Sequence, residues 1–456
     1  MQTFNTISPL TGEVLAEYTQ MTDEQAREAL TRATDAYRDW TRAKVDDRLA
    51  LLARIGELHR ERGDELAEAV AVEMGKPIAQ AKGEVALSAS IYEYYAKAGA
   101  EILADEHIEV AAGGRALVRT SSTGPILGVM PWNFPLYQVA RFVAPNLLLG
   151  NTILLKHASS CTNTARLIDA IIQDAGSPKG VYENLILSSS HIGALIADPR
   201  VRGVSLTGSE GAGQSVAAQA GRHLKKCVLE LGGSDPFIVL SDADLDLALD
   251  LAETGRFNNA GQSCTASKRM IIHADVWDEF LTRFVERAAA WNTGDPLDRS
   301  TRMGPMASEA GRREIAEQVE DAVSKGATLH VGGIIPEGPG AFYPATVLTD
   351  VTPNMRAYSE ELFGPVAVLI KVGSVDEAIE VANNSRFGLG SAVFTRDEAL
   401  AADIADRLEV GMVGLNTLIR SQPDLPFGGV KASGIGRELG RLGVDEFANK
   451  KMIRLS

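Results

Sequence analysis

The sequence predicts an α/β protein built from two doubly wound parallel sheets. From Ile126 onward, short apolar runs alternate with segments long enough for a helix. A second series of the same kind starts after the pair Gly232-Gly233. Such alternation is typical of βαβ units, in which a crossover helix joins parallel strands. No internal repeat or long linker separates the two series, so we expect two packed domains with a cleft between them.

The N-terminal region is predicted to be rich in helix. Thr22 and Gln25 form a capping-box pattern, which marks a helix start. The apolar positions that follow lie on one helical face, namely Ala26, Leu30, Ala33 and Tyr37.

The strands of the two sheets are predicted from the apolar runs. Those of the first sheet are Ile126 to Met130, Thr152 to Leu155, Leu185 to Leu187 and Val201 to Leu206. Those of the second are Phe237 to Leu240, Val366 to Ile370 and Ala392 to Phe394, with helices near Val276 to Ala290 and Ala307 to Ser324. We expect the two domains to join near Leu231.

Composition and charge narrow the class of protein. The 456 residues are 45% hydrophobic and 23% charged, as in ordinary folded proteins, and the net charge is −15. This balance repels nucleic acids and anionic membranes. The N-terminus has no secretory signal pattern, and the most apolar stretch, Leu147 to Leu155, is too short to span a bilayer. With three cysteines only, we expect a cytoplasmic protein that acts on small molecules.

Cys264 is the candidate nucleophile. It follows the polar segment FNNAGQS rather than lying inside an apolar run, and a thiolate adds readily to a carbonyl. The alternative is a small buried hydrophobic residue, which is the role we assign to Cys161 and Cys227.

Glu230 is the candidate general base. It ends an apolar strand, and burial there would raise its pKa toward the range in which a carboxylate accepts a proton from water. The alternative is a surface charge at a strand end.

Asn133 is the candidate oxyanion donor. It lies in Pro131-Trp132-Asn133-Phe134-Pro135, directly after a predicted strand, where α/β sheets place ligands. A rigidly held amide can stabilise an oxyanion by about 3 to 4 kcal/mol. The alternative is a rigid turn with Trp132 in the core.

A phosphate-binding turn is predicted at Thr207 to Gly213, which follows a strand and precedes a helix. Its glycines do not follow the standard dinucleotide order, so the pattern alone is weak. Lys156, at a strand end, is a candidate phosphate partner or a solvated lysine. The seven histidines show no metal-ligand spacing, and we predict no metal; serine-hydrolase and P-loop motifs are also lacking.

Six motifs together resemble the aldehyde dehydrogenase superfamily over essentially the whole chain. They are PWNFP, TGSEGAG, LELGGSDP, FNNAGQSC, EELFGP and PFGGVKASGIGRE. The intervals from Glu230 to Cys264 and from Cys264 to Glu361 also match the family pattern. Within the superfamily the chain most resembles short bacterial succinate-semialdehyde dehydrogenases.

The resemblance implies a role for each matched residue. Cys264 would attack the aldehyde, Asn133 and the Cys264 backbone N–H would hold the oxyanion, and Glu230 would activate the water that hydrolyses the thioester. Glu361 would bind the nicotinamide ribose. The other implied cofactor-binding residues are Trp132, Lys156, Ser159, Gly208, Ser209, Gly213, Leu231 and Phe363.

NADP is expected to be preferred over NAD, although NAD is also expected to be used. Many NAD-preferring members carry Glu where this chain has Ser159, and that carboxylate would repel a 2′-phosphate. Ser159 removes the repulsion, and Lys156 lies near it in the sequence.

The resemblance also implies a binding site for a distal carboxylate. Arg141 matches the arginine that binds it in semialdehyde dehydrogenases; the alternative is an arginine on a helix surface. A second family arginine is replaced by Asn258, with Arg256 nearby, and Arg420, Ser421 or Gln422 are candidates to compensate.

Domain bounds and assembly follow the same resemblance. We expect a dinucleotide-binding domain over residues 1–105 and 122–230, and a catalytic domain over residues 231–430. The strand pair around Ile108 to Thr120 and the C-terminal segment, within residues 106–121 and 431–456, would form an oligomerisation element of a homodimer or tetramer.

Three alternatives remain open from the sequence. One is a dehydrogenase of another small aldehyde, such as glutarate semialdehyde or an uncharged aliphatic or aromatic one. Another is a CoA-acylating enzyme, which Glu230 argues against because such enzymes generally lack the hydrolytic base. The third is a non-catalytic protein of the same fold, which the intact set of Cys264, Glu230 and Asn133 argues against.

Overall fold

The protein, described here from a computed structural model covering residues 2–455, has the predicted α/β class. In chain order, the strands are β1 Thr3–Ile7, β2 Val14–Thr19, β3 Glu106–Glu109, β4 Arg115–Ser121, β5 Pro125–Met130, β6 Thr152–His157, β7 Tyr182–Asn184, β8 Gly203–Thr207, β9 Lys226–Glu230, β10 Asp235–Val239, β11 Ser267–His273, β12 Thr328–Val331, β13 Thr346–Thr349, β14 Val366–Val372, β15 Phe387–Gly388, β16 Gly390–Phe394, β17 Met412–Leu415, β18 Val430–Lys431, β19 Gly434–Ile435 and β20 Asn449–Leu455. The α-helices are α1 Asp23–Trp40, α2 Val45–Glu61, α3 Gly63–Met74, α4 Ile78–Ile102, α5 Tyr137–Leu149, α6 Thr162–Asp174, α7 Ile192–Ala197, α8 Glu210–Arg222, α9 Leu245–Phe257, α10 Trp277–Ala289, α11 Glu309–Ser324, α12 Arg356–Ser359, α13 Val375–Asn383, α14 Glu398–Arg407 and α15 Gly440–Asp445.

The predicted N-terminal helix forms with its capping box. The Thr22 hydroxyl accepts from the Gln25 backbone N–H at 3.2 Å, and the Gln25 side-chain oxygen accepts from the Thr22 N–H at 2.9 Å. Two free N–H groups of the first turn are thereby satisfied. Ala26, Leu30 and Ala33 are buried, as the periodicity predicts.

The first sheet has the strand order β19-β9-β8-β5-β6-β7, and β5 to β9 run parallel. Its last strand corrects the sequence prediction: β7 is Tyr182–Asn184, whereas the predicted run Leu185 to Leu187 lies beyond it. The Leu185 N–H still donates to the Leu155 carbonyl at 2.7 Å, and the leucines then turn into the core. The prediction was wrong because a short apolar run indicates burial, and burial is common to strands and to loops that pack into the core.

The second sheet has the order β12-β13-β14-β11-β10-β16-β17, with only β12 antiparallel among these described strands. The predicted strands correspond to β10, β14 and β16, and the predicted helices to α10 and α11. The core of this half is built from the inward faces of the central strands and from aromatic side chains of α10, Phe280 and Phe284.

A third, smaller sheet has the order β20-β4-β3 and is antiparallel. Its strands β3 and β20 are largely exposed. Among the helices within residues 2–455, none is long and apolar enough to cross a bilayer.

Candidate active site

A cavity of about 450 Å³ lies between the carboxyl ends of the first sheet and the loops of the second. The predicted site residues that line it are Trp132, Asn133, Gly208, Ser209, Leu231, Cys264, Glu361 and Phe363. Helix α11 forms the opposite wall through Gly311, Ile315 and Gln318. The fold thus brings the candidate nucleophile, the candidate oxyanion donor and much of the candidate cofactor site together.

Cys264 is held on an unusual loop. Asn259 and Ala260 both adopt the left-handed conformation, with φ of 55° and 51°, and Gly261 follows at 70°. Such backbone is costly for residues other than glycine, so it persists only where the surroundings impose it. Here the Asn259 N–H donates to the Gln80 side chain at 2.8 Å, and Asn259 Nδ2 donates to the Asn133 and Gln262 carbonyls at 3.0 and 3.1 Å.

The Asn133 amide is oriented by two hydrogen bonds. Its Nδ2 donates to the Gln262 carbonyl at 3.1 Å, and its Oδ1 accepts from Gln138 Nε2 at 3.0 Å. One Nδ2 hydrogen is left over to donate into the cavity. Within residues 2–455, the Cys264 backbone N–H also has no protein acceptor. The site therefore contains the two donors that an oxyanion hole needs.

A buried ion pair that the sequence analysis missed supports the same loop. Lys76 and Glu84 are each 1% exposed at their side chains and form a salt bridge. Lys76 Nζ also donates to the Asn133 carbonyl at 2.9 Å, and Glu84 Oε1 accepts from the backbone N–H groups of Leu136 and Tyr137 at 2.8 and 3.1 Å. Two isolated charges in a helix-rich segment offered no signal of this contact, which depends on tertiary packing.

The Gly232-Gly233 pair allows Glu361 and Cys264 to approach β9. A Cβ on Gly232 would lie 2.4 Å from Glu361 Oε2, and one on Gly233 would lie 2.4 Å from the Cys264 carbonyl oxygen. Real side chains do not tolerate such distances, so any larger residue would push the carboxylate or the nucleophile loop away. The Gly233 N–H donates to Glu361 Oε1 at 3.0 Å.

The Cys264 thiol is half-buried in this loop. Burial raises its pKa to about 12, while the positive charges of Arg141 and Lys268 lower it. Burial therefore favours the neutral thiol at this position, and the two neighbouring cations favour the thiolate.

Glu230 ends β9 as predicted, but it does not line the cavity, whereas the next two residues, Leu231 and Gly232, do. The side chain is buried, and neither carboxylate oxygen has a hydrogen-bond partner within residues 2–455. Burial raises its pKa well above the usual value, Arg141 lowers it, and Glu438 raises it further. A carboxyl group in this state can accept a proton near neutral pH.

The cofactor part of the cavity has an aromatic wall and a helix N-terminus. The Trp132 and Phe363 rings pack edge to face, with centroids 5.7 Å apart. Gly208 and Ser209 line the cavity where α8 begins, and a Cβ on Gly213 would lie 2.6 Å from the Leu231 side chain. Backbone N–H groups and the helix dipole there suit a pyrophosphate.

Lys156 and Ser159 lie outside this cavity, and Ser159 lines a second, small pocket. No Asp or Glu lines that pocket. Lys156 forms no salt bridge with the described residues, and burial lowers its pKa. A cation without a carboxylate partner, next to an exposed serine, is compatible with an additional phosphate. No group of three or more potential metal ligands occurs in residues 2–455.

Arg141 lies on α5 and is 1% exposed rather than on a helix surface. Its guanidinium forms a salt bridge with Glu438 and donates to Tyr137 Oη at 3.1 Å and to Thr207 Oγ1 at 3.0 Å. Tyr137 Oη in turn donates to Ser421 Oγ at 2.6 Å. Arg141 and Ser421 are thus linked through one phenol, although neither lines the main cavity.

The remaining basic candidates occupy different places. Arg420 is exposed on the loop after β17. Arg256 is fully buried and donates to the carbonyls of Leu362, at 3.0 Å, and Gly364. It therefore supports the loop that carries Glu361 and Phe363.

Comparison with known proteins agrees with this site. The sequence model of the aldehyde dehydrogenase family matches residues 1–453. The chain belongs to the aldehyde dehydrogenase family. The resemblance inferred from the six motifs is thereby confirmed, and the fold is that of an aldehyde dehydrogenase.

Several relatives of this aldehyde dehydrogenase are named by their activity. A succinate-semialdehyde dehydrogenase [NADP(+)] of Deinococcus radiodurans is 51% identical over 451 residues, which cover 99% of this chain and 94% of that protein. Succinate-semialdehyde dehydrogenase [NADP(+)] 1 of Mycobacterium tuberculosis is 46% identical, with 98% of each chain covered. The crystal structure of succinic semialdehyde dehydrogenase from Streptococcus pyogenes, in complex with NADP+, is 41% identical, covers 99% of both chains and superposes with a TM-score of 0.96.

Proposed function

We propose that this aldehyde dehydrogenase oxidises succinate semialdehyde to succinate with NADP, and with NAD as a second cofactor. The observation that carries the proposal is the cavity in which Cys264, Asn133 and Glu361 meet. The names of relatives at 46% and 51% identity support the substrate and the cofactor. The low cysteine content of the chain supports a cytoplasmic location, and the exposed strands β3 and β20 support a homodimer or tetramer.

In the proposed mechanism, the Cys264 thiol loses its proton to solvent, and the resulting thiolate adds to the aldehyde carbon to form a thiohemiacetal whose oxygen carries the negative charge. Asn133 Nδ2 and the Cys264 N–H donate to its oxyanion, which concentrates stabilisation on the charge that develops there. When bound, the nicotinamide cofactor accepts a hydride from this carbon, and a thioester on Cys264 results. The residues that would hold the cofactor are Trp132, Gly208, Ser209, Gly213, Leu231, Glu361 and Phe363, with Lys156 and Ser159 toward the 2′-phosphate.

Hydrolysis of the thioester is assigned to Glu230. Its carboxylate takes a proton from water, the resulting hydroxide adds to the thioester carbon, and the carboxylic acid leaves as the Cys264 thiolate re-forms. Because the carboxylate does not line the cavity, its side chain has to rotate toward the sulfur for this step. We propose the domain bounds 1–105 with 122–230, and 231–430, since the cavity lies where these parts meet.

The direct test is the formation of reduced cofactor. Purified protein is mixed with succinate semialdehyde or with propanal, in parallel with NADP and NAD. We expect a higher kcat/KM with the semialdehyde and with NADP. Equal or faster oxidation of propanal would retain the chemistry and reject the semialdehyde as the preferred substrate.

Arg141, with Ser421 and Arg420, is proposed to bind the distal carboxylate of the substrate. Replacing Arg141 with methionine is expected to lower kcat/KM for succinate semialdehyde by at least about tenfold, since a charge-assisted contact contributes about 1.5 to 3 kcal/mol. Propanal has no distal carboxylate to lose a contact, and any effect of Arg141 on the pKa of Cys264 or Glu230 is shared by both aldehydes. The measured quantity is the ratio of kcat/KM for succinate semialdehyde to kcat/KM for propanal.

Loss of the buried Arg141 charge also leaves Glu438 without its partner, which destabilises a protein by about 3 to 5 kcal/mol. The double variant Arg141→Met/Glu438→Gln removes that unpaired charge and serves as the control for folding. If the ratio of the two substrates is unchanged in both variants, Arg141 does not bind the carboxylate.

Ser159 is proposed to permit NADP. Ser159→Glu should lower kcat/KM for NADP by about tenfold or more while NAD is retained, because the carboxylate repels a 2′-phosphate and can accept from ribose hydroxyls. Ser159 is exposed, so the fold should tolerate the change. Ser324→Glu, at the exposed end of α11, adds the same charge elsewhere. An unchanged ratio of NADP to NAD would show that Ser159 does not set the preference.

A further inference from the structure

Lys268 is a buried ammonium group in the wall of the active site that none of the proposed steps uses. It lies on β11, and its side chain is 1% exposed. Its Nζ donates to the carbonyls of Ser263 and Cys264 at 2.9 and 2.8 Å, and it forms a salt bridge with Glu361 Oε1 at 2.9 Å. An ammonium has three N–H donors, so these three contacts use all of them.

The contacts of Lys268 differ from those of its neighbour Arg269. The Arg269 guanidinium donates to the backbone carbonyls of Ser234, Val381 and Ala382, at 2.8 to 3.0 Å, and so joins elements of the second sheet. Lys268 instead joins the nucleophile loop to a carboxylate that lines the cavity. One of these adjacent cations supports the fold, and the other supports the site.

We propose that Lys268 is a positioning residue that couples the carboxylate of Glu361 to the nucleophile Cys264. The inference deepens the proposed function and rests on it for the roles of these two residues. A single ammonium group then sets both the position of the carboxylate that receives the cofactor ribose and the position of the loop that carries the sulfur.

The charged groups around the Cys264 sulfur predict how cofactor binding changes the pKa of the thiol. The groups that act on the Cys264 thiol are Arg141 and Lys268, which lower its pKa, and Asp235 and Glu361, which raise it. When hydroxyl groups of the cofactor ribose donate to the Glu361 carboxylate, they take up part of its negative charge. The carboxylate then neutralises less of the positive charge of Lys268. Cofactor binding is therefore expected to favour the thiolate, and it should do so only when a cation is present at position 268.

The test measures thiol reactivity and cofactor binding without any aldehyde. The rate of Cys264 alkylation by iodoacetamide is followed by mass spectrometry between pH 6 and 10, with and without NADP, and the Kd for NADP is measured by tryptophan fluorescence. In Lys268→Met, we expect alkylation to be at least about tenfold slower at each pH, the effect of NADP on its rate to disappear, and the Kd to rise about tenfold. Lys268→Arg keeps the cation and should restore most of both properties.

Lys371→Met is the matched control. Lys371 is exposed on β14, the strand that pairs with β11, and it should leave both readouts unchanged. A folded Lys268→Met protein with the wild-type alkylation profile and the wild-type Kd would overturn the inference.

If Lys268→Met does not fold, Glu361→Gln replaces it in the test. This variant retains Lys268 and its two carbonyl contacts, so alkylation should be faster than in the wild type at each pH, and NADP should no longer change its rate. A wild-type profile in Glu361→Gln would overturn the inference. If the wild type forms no NADPH from any aldehyde, the proposed function fails, yet alkylation and Kd still report on the coupling.

Discussion

Replacing Cys264 with alanine is expected to abolish aldehyde oxidation, lowering kcat by at least about 10⁴-fold. The sulfur forms both covalent intermediates of the proposed mechanism, and among the cysteines within residues 2–455 only Cys264 lines the cavity. The measurement is NADPH formation with succinate semialdehyde. Mass spectrometry of the quenched reaction should detect an acyl group on the wild type and none on Cys264→Ala.

Cys227→Ala is the matched control for this prediction. Cys227 is half-buried on β9 and packs against the core of the first sheet, so its loss should leave turnover nearly unchanged. Binding of NADP should also persist in Cys264→Ala, because that variant retains Glu361, Trp132 and Phe363. An acyl group retained in Cys264→Ala would reject Cys264 as the nucleophile.

Replacing Glu230 with glutamine should separate acylation from hydrolysis. The amide cannot take a proton from water, so we expect a burst of about one NADPH per active site, followed by steady turnover reduced by about 10² to 10⁴-fold. Stopped-flow absorbance measures the two phases. Hydroxylamine attacks a thioester without help from a base and should restore much of the steady rate in Glu230→Gln.

The same variant has a predicted effect on stability. Burial raises the pKa of Glu230 in the folded protein, so the folded state binds a proton that the unfolded state has lost. The wild type therefore loses stability as the pH rises from the usual glutamate pKa toward the raised one. Glu230→Gln lacks this titration, and its Tm should fall less over that range.

In the kinetic experiment, a Glu230→Gln variant with no burst, or with wild-type steady turnover, would reject Glu230 as the base.

Much of the site could be predicted from the sequence because its residues lie at strand ends. Asn133 follows β5, Gly208 follows β8 and Glu230 ends β9, and parallel strands bring such positions to one edge of a sheet. Cys264 stood out because a polar, glycine-containing segment precedes it. The predicted strand Leu185 to Leu187 was wrong because burial of Leu185 and Leu187 does not distinguish a strand from a loop that packs into the core.

The groups that the sequence did not reveal act through contacts between distant segments. Lys76 and Glu84 meet the Asn133 loop only in the folded protein, and Gln138 orients the Asn133 amide across one turn of chain. Lys268 is close to Cys264 in sequence, yet its role depends on Glu361, which arrives from another loop.

By itself, the sequence determined the α/β class, the family and the identity of the reactive groups, because these depend on local patterns and on motif spacing. Tertiary structure decided which of those groups face one cavity. It buried Arg141 against Glu438, left the Glu230 side chain outside the lining of the cavity, and raised the pKa of the Cys264 thiol. The physical reason is that burial and charge pairing depend on every element packed around a side chain, whereas a motif contains only its neighbours along the chain.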